Sequence, residues 1–247
     1  MKIYGLIGFS LRHSFSQRYF SEKFERDDLI DSEYRNFELK DLNTELPLLK
    51  NNSDIKGLNV TIPYKTDIIP FLDELTDECK EINACNCIRI KNGKWIGYNT
   101  DVIGFEKTFA PYLKPYHNKA LILGTGGSSN AVAFVMKKLN IDFLKVSRKK
   151  NNDNGIINYD DISDEVLKEF KIVINTTPVG MFPKMDEYPP LPYEAISAEH
   201  YFFDLIYNPA KTLFLSLAEK HGAFIENGDK MLTIQAEESW DIWNGEN

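Results

Sequence analysis

Residues 121–134 read LILGTGGSSNAVAF, an apolar run broken by glycines that resumes with helix-forming residues. A buried strand, a turn through Gly124, Gly126 and Gly127, and a helix directly after it form the junction of a βαβ unit. Glycine permits both the tight turn and the close approach of another backbone or a ligand. The helix N-terminus would present N–H groups and a positive dipole end to an anion such as a pyrophosphate, with Ser128 able to add a hydroxyl. The match to G-x-G-x-x-G is incomplete, because Ser129 holds the third glycine position. A purely structural turn is the competing reading.

The end of the next strand separates these readings. A dinucleotide with a free ribose 2′-hydroxyl usually meets an acid about 20 residues beyond the glycine loop. Here the chain reads VSRKK, with Ser147, Arg148 and Lys149 where that acid would stand. A guanidinium pairs with a phosphate, so the pattern favours NADP over NAD. The alternative is a solvated basic loop.

Around this junction the chain alternates strands and helices, which implies an α/β fold with parallel pairing. KIYGLIG, EYRNFEL and IKGLNVTIP read as strands, SFSQRYFSEKFERD and DLNTELPLLKNN as helices. ACNCIRIKNGKWIGYN reads as two strands joined at Asn92-Gly93, a hairpin signal. TDVIGFEKTFAPYL reads as a helix, after which the alternation restarts at Lys119. KIVINTT and YFFDLIY are further strands, and AKTLFLSLAEKHG and KMLTIQAEESWDIWN are helices. The restart predicts two α/β units with the helix from Asp101 as the hinge.

The net charge of −8 argues against a nucleic-acid or anionic-membrane binder, both of which require a basic surface. No stretch approaches the roughly 20 apolar residues of a membrane span, and the N-terminus reads as a strand and not as a signal peptide. Cys79, Cys85 and Cys87 lack disulfide-framework spacing, which fits a reducing, cytoplasmic compartment. Cys85 and Cys87 are expected as half-buried thiols on one strand face. With no histidine near them, no metal site is expected. His13, His117, His200 and His221 are scattered and read as structural or solvated.

In NVTIPYK, Lys65 follows a strand end, where open α/β sheets place their ligands. Asp101 opens the hinge helix within GYNTDVIGF. A lysine and an aspartate at two such termini could face one cleft, although each alone is more often solvated.

Taken together, these stretches resemble the shikimate dehydrogenase family nearly end to end. YGLIGFSLRHSFS resembles its opening strand and serine pair, GLNVTIPYK its lysine motif, and INACNCI its asparagine segment. GYNTDVIGF resembles its aspartate motif, LGTGGSSNA its glycine loop, and SRK its phosphate motif. INTTPVGM, DLIYNPAKTLFL and NGDKMLTIQA continue the match. The resemblance implies two domains with a cleft between them. Residues 1–103 and 230–247 would bind substrate, and residues 104–229 would form a Rossmann-type NADP domain. It implies that Ser14 and Ser16, with Tyr207, hold a substrate carboxylate. Asn59, Thr61, Asn86, Asp101 and Gln235 would address ring hydroxyls. Lys65 and Asp101 would be the catalytic pair, and Gly228 would border the cofactor. The implied partners are shikimate or 3-dehydroshikimate and NADP, bound by a monomer or homodimer.

The chain departs from the family pattern at Asn83, Cys85 and Cys87, where glycine, valine and threonine are usual, and at Ser147 and Lys149 beside the retained Arg148. Three rivals stand beside the main reading: a quinate/shikimate dehydrogenase of broader specificity, a Rossmann-type methyltransferase, and a non-catalytic nucleotide-sensing paralogue. The methyltransferase would leave Lys65 and Asp101 unexplained.

Overall fold

The computed structural model describes residues 1–11, 14–149 and 155–245; His13 and Lys150 lie outside the described residues. The chain divides into two compact units, Met1–Thr100 with Ala236–Asn247, and Asp101–Gln235. Residues 101–103 and 230–235, grouped on sequence with the substrate domain, cluster with the second unit.

The first unit contains β1 (Lys2–Gly8), α1 (Phe15–Arg26), β2 (Ser32–Glu38), α2 (Leu42–Lys50), β3 (Ile55–Val60), β4 (Glu74–Leu75), α3 (Asp77–Ile82), β5 (Cys87–Lys91) and β6 (Lys94–Tyr98). Its sheet runs β2-β1-β3-β5-β6-β4. β1 pairs in parallel with β2 and β3, as the α1 and α2 crossovers require, whereas β5 is antiparallel to β3 and β6. Asn92 and Gly93 both have positive φ, 54° and 77°, the two-residue turn expected between β5 and β6. Ser14 caps α1 by accepting from the Gln17 N–H at 3.3 Å, and Asp41 caps α2 through Asn43.

Alternation along β1 sends Ile3 and Ile7 to one face, with Leu42, Leu46, Val60 and Trp95. Tyr4 and Leu6 face the other side, with Phe20, Phe24 and Trp243. Gly57 is required there, because a Cβ would strike the Trp243 ring that stacks on Tyr4 at 5.1 Å. The cysteines differ from expectation. All three are fully buried, and Cys85 lies in the first cluster while Cys87 lies in the second, on the opposite face. β5 begins only at Cys87, so strand alternation does not govern Cys85. Asn83, where the family pattern has glycine, ends α3 at φ 53° and ψ 40°. Asparagine tolerates this left-handed conformation better than most residues.

The second unit contains α4 (Asp101–Phe109), β7 (Lys119–Leu123), α5 (Gly127–Lys138), β8 (Asp142–Ser147), β9 (Ile156–Asn158), α6 (Asp164–Glu169), β10 (Ile172–Asn175), β11 (Tyr201–Asp204), α7 (Leu213–Lys220), β12 (Phe224–Glu226) and the start of α8 (Asp229–Asn244). Its sheet runs β12-β11-β10-β7-β8-β9, with every pairing parallel. Counted from β7, this is the doubly wound order 3-2-1-4-5-6 of a dinucleotide-binding fold, which reverses between β7 and β10. Phe105 and Phe109 of α4 pack on Phe203 and Tyr201, while Leu121, Val173 and Phe202 face Phe214 and Leu215.

Three strands stop earlier than their apolar patterns suggest. β3 ends at Val60 because the chain turns through Pro63, with the Tyr64 N–H donating to the Thr61 carbonyl at 2.9 Å. β10 ends at Asn175, whose Oδ1 accepts from the Thr177 N–H at 3.1 Å, and β11 ends at Asp204, whose Oδ1 accepts from the Ile206 N–H at 3.0 Å. In both, a short polar side chain satisfies the backbone two residues on and supplants the ladder.

Candidate active site

In the first unit, parallel β1 and β3 release their chains at one end of the sheet, and antiparallel β5 starts and β6 finishes at that same end, since Asn59 pairs with Cys87 and Cys87 with Tyr98. Ser14, Ser16, Asn59, Thr61, Lys65 and Asn86 therefore gather at the carboxyl ends of the parallel strands, where open α/β sheets bind ligands. Ser16, Asn59 and Asn86 are buried, and Ser14, Thr61 and Lys65 are half-buried. Thr61 is held by its N–H to the Ile7 carbonyl at 2.9 Å, and the Lys65 carbonyl accepts from the Cys85 N–H at 2.7 Å. Asn86 is clamped on Thr100: its Oδ1 accepts from the Thr100 N–H at 2.7 Å and its Nδ2 donates to the Thr100 hydroxyl at 3.1 Å.

In the second unit, Asp101 and Gln235 are the first and last residues, both buried. Their helices meet at Gly104, where a Cβ would stand 2.8 Å from the Met231 carbonyl and 3.2 Å from the Gln235 Cβ. The structure thus brings Asp101 and Gln235 onto adjacent helices, with Gln235 at this contact and Asp101 one turn before it. Tyr207 lies half-buried, three residues beyond the end of β11.

The glycine loop sits at the carboxyl end of β7, beside the strand-order reversal. Gly124 has φ +117°, and a Cβ there would lie 2.6 Å from Thr176 Oγ1 at the end of β10. Ser129 explains its place in the glycine pattern: it is fully buried and donates to the Gly124 carbonyl at 2.8 Å, closing the loop. Gly126 is the N-cap of α5 with no side-chain cap, and a Cβ built on it meets nothing within 4 Å. An uncapped N-terminus on a twelve-residue helix beside an open glycine suits a pyrophosphate, and Gly127 and Ser128 open that helix. Gly228 is buried, and a Cβ there would collide with the Leu205 carbonyl.

At the end of β8, Ser147 accepts from the Lys149 N–H at 3.2 Å, and Asn158 donates to the Arg148 carbonyl at 3.2 Å, fixing this turn with both cationic side chains exposed. Burial pushes the Tyr159 phenol up to about 12, with the Arg148 charge opposing it. These residues fit a ribose phosphate better than a free hydroxyl pair. Among the described residues, no histidine, cysteine and carboxylate cluster could hold a metal.

The family model for the shikimate dehydrogenase substrate binding domain matches residues 6–88. The chain is 36% identical to a shikimate dehydrogenase (NADP(+)) of Methanosphaera stadtmanae over 262 aligned residues, covering 98% of this chain and 91% of that one. The chain belongs to the shikimate dehydrogenase family. A solved shikimate dehydrogenase from Aquifex aeolicus superposes with a TM-score of 0.87 at 33% identity, covering 99% of this chain and 93% of that one. The Thermus thermophilus enzyme, solved with NADP(H) and shikimate, gives 0.86 at 26% identity over 99% and 94%.

In this family member several buried groups escape a sequence reading. Tyr34, Thr100 and Ser239 bond the predicted site asparagines, and Asn175, Asp204 and Thr212 tie β10 to β11 and the start of α7. Ser239 had one available signal, its i+4 spacing from Gln235 on a single helix face.

The titratable interior gives a pH expectation. His117 and His200 are held below the usual histidine range, chiefly by burial, each with both ring nitrogens on backbone partners. The unfolded state therefore takes up their protons first, and stability falls as pH drops below about 6.5. Asp204 opposes this. Burial raises it to about 7, so the folded state gains a proton that an unfolded carboxylate would not yet take, and this contribution is lost as pH rises through 7. Asp204→Asn removes the opposing effect. Its Tm is expected to fall more steeply than the parent's between pH 7 and 5; parallel profiles would refute the assignment.

Proposed function

We propose that this chain catalyses the reversible, NADPH-dependent reduction of 3-dehydroshikimate to shikimate, an oxidoreductase step of aromatic biosynthesis. The observation that carries the reading is the near-full-length family match, and it is supported by the proposed residues Asn59 and Thr61 standing at a strand end of an α/β sheet. Bound NADPH supplies the hydride. Negative charge that develops on the ketone oxygen would be stabilised by Lys65, which would also deliver the proton. Asp101 is the acidic member of the catalytic pair and addresses a ring hydroxyl. Ser14 and Ser16, with Tyr207, hold the ring carboxylate, and Asn59, Thr61, Asn86 and Gln235 hold hydroxyls.

Gly124, Gly126, Gly127 and Ser128 would cradle the pyrophosphate at α5, Gly228 would border the cofactor, and Ser147, Arg148 and Lys149 would take the 2′-phosphate. Free, buried thiols are in keeping with a reducing cytoplasm.

The test is the initial rate of NADP⁺ reduction by purified protein with shikimate, run beside NAD⁺ and quinate. A strong rate with shikimate and NADP⁺ alone is expected. Comparable rates with NAD⁺ or quinate would move the chain to the broader-specificity branch, and no rate with any pair would sink the enzymatic reading.

A further inference from the structure

We infer that Tyr34 and Ser239 are positioning residues that lock the Asn59 side chain so that it meets substrate only as a hydrogen-bond acceptor. The inference rests on the reading that Asn59 addresses a ring hydroxyl.

Asn59 is the penultimate residue of β3 and is almost wholly buried. An amide's two ends are told apart only by their partners. The Asn86 backbone carbonyl, 3.3 Å away, can only accept, so the Asn59 NH₂ must face it. The second amide hydrogen goes to Ser239 Oγ at 2.9 Å. Both donors are then committed. On the other side, the Tyr34 hydroxyl lies 2.9 Å from Asn59 Oδ1 and, facing a carbonyl oxygen, donates to it. One Oδ1 lone pair is all that the side chain has left to offer.

The surroundings hold this arrangement rigidly. Tyr34 stacks on Phe20 with centroids 4.7 Å apart, and burial drives its phenol well above the usual range, so it stays a donor at neutral pH. Ser239 is fully buried, and its hydroxyl sits 3.2 Å from that of Thr100, the residue that clamps Asn86. Flipping the Asn59 amide would set its oxygen against the Asn86 carbonyl and make the Tyr34 and Ser239 hydroxyls exchange their donor and acceptor roles. The carbonyl contact turns repulsive in a site with little water to relieve it. A single remaining acceptor selects a ligand group that carries a hydrogen. The ring position at Asn59 must therefore hold a free hydroxyl and excludes a ketone, an ether or a missing oxygen. The discrimination belongs to Asn59, its sign is set by the Asn86 carbonyl, and Tyr34 and Ser239 hold the amide in that orientation by taking up one lone pair and the second hydrogen.

The experiment compares steady-state kinetics on shikimate and on its 4-deoxy and 5-deoxy analogues for the parent, Asn59→Ala, Tyr34→Phe and Ser239→Ala, with NADP⁺ as oxidant. The parent is expected to lose at least about tenfold in kcat/KM on one deoxy analogue, the cost of leaving a buried acceptor unmet. Asn59→Ala erases that gap. Tyr34→Phe, which keeps the ring stack, and Ser239→Ala each raise the shikimate KM roughly tenfold and narrow the same gap, with the KM for NADP⁺ unchanged. If both variants lower Tm yet keep the parent's shikimate KM and gap, their role is structural and the inference is overturned. If Asn59→Ala itself leaves the shikimate KM and the gap unchanged, the underlying reading of Asn59 fails, and the inference with it.

Discussion

Lys65→Ala is expected to lower kcat about 100-fold or more, with a much smaller change in the shikimate KM. The size follows from the cost of removing one donor aimed at charge that develops only in the transition state, about 2.7–4 kcal/mol. The ketone in the ground state needs that donor little, so the loss falls on kcat and not on binding. The local backbone should survive the change. Lys65 is half-buried, and its backbone is held by its carbonyl, which accepts from the Cys85 N–H. The flanking turn is held by the Tyr64 side chain, whose hydroxyl donates to the Leu39 carbonyl at 2.7 Å. Circular dichroism and Tm within a few degrees of the parent would confirm an intact fold. A variant that keeps more than a tenth of the parent kcat would rule out Lys65 as the proton donor.

Arg148→Ala is expected to raise the KM for NADP⁺ roughly 10- to 100-fold, leaving the shikimate KM and the slow rate with NAD⁺ as they were. Charge-assisted hydrogen bonds are worth about 1.5–3 kcal/mol, and an exposed site delivers the lower part of that range. NAD⁺ lacks the 2′-phosphate and has nothing to lose. Arg148→Lys should recover only part of the affinity, because an ammonium cannot match the paired geometry of the guanidinium. Steady-state titration of both dinucleotides decides the matter, and an unchanged NADP⁺ KM refutes the phosphate clamp. The turn itself does not depend on the guanidinium, since Asn158 holds the Arg148 carbonyl and Ser147 holds the Lys149 N–H.

The positions of these two residues were legible from the chain because each stands near a strand end marked by a local break, Pro63 for one and the polar run from Ser147 for the other, whereas the catalytic role proposed for Lys65 comes from the family resemblance. The glycine loop was legible for the same reason. Ser129 looked like a defect in the motif, whereas in the fold its hydroxyl donates to the Gly124 carbonyl. Strand ends at Asn175 and Asp204 were overrun, since apolar patterning carries no sign of a side chain that captures the backbone two residues on. The short β4, β9 and β12 gave no periodic signal, being two or three residues long.

Local sequence determined the elements and their order. Alternation in KIYGLIG, glycines after LIL, capping at Ser14 and Asp41, and Asn92-Gly93 each act through neighbours in the chain, where period and turn chemistry suffice. Tertiary structure alone decided which residues meet across long separations. Tyr34, Asn59, Asn86, Thr100 and Ser239 come from separate stretches of the chain, yet they share one buried hydrogen-bonded cluster. The same is true of Cys85 and Cys87, two residues apart and on opposite faces of one sheet. A buried polar side chain takes whatever partner packing brings to it, and burial makes that partner obligatory. Its identity is therefore set by how the strands and helices assemble.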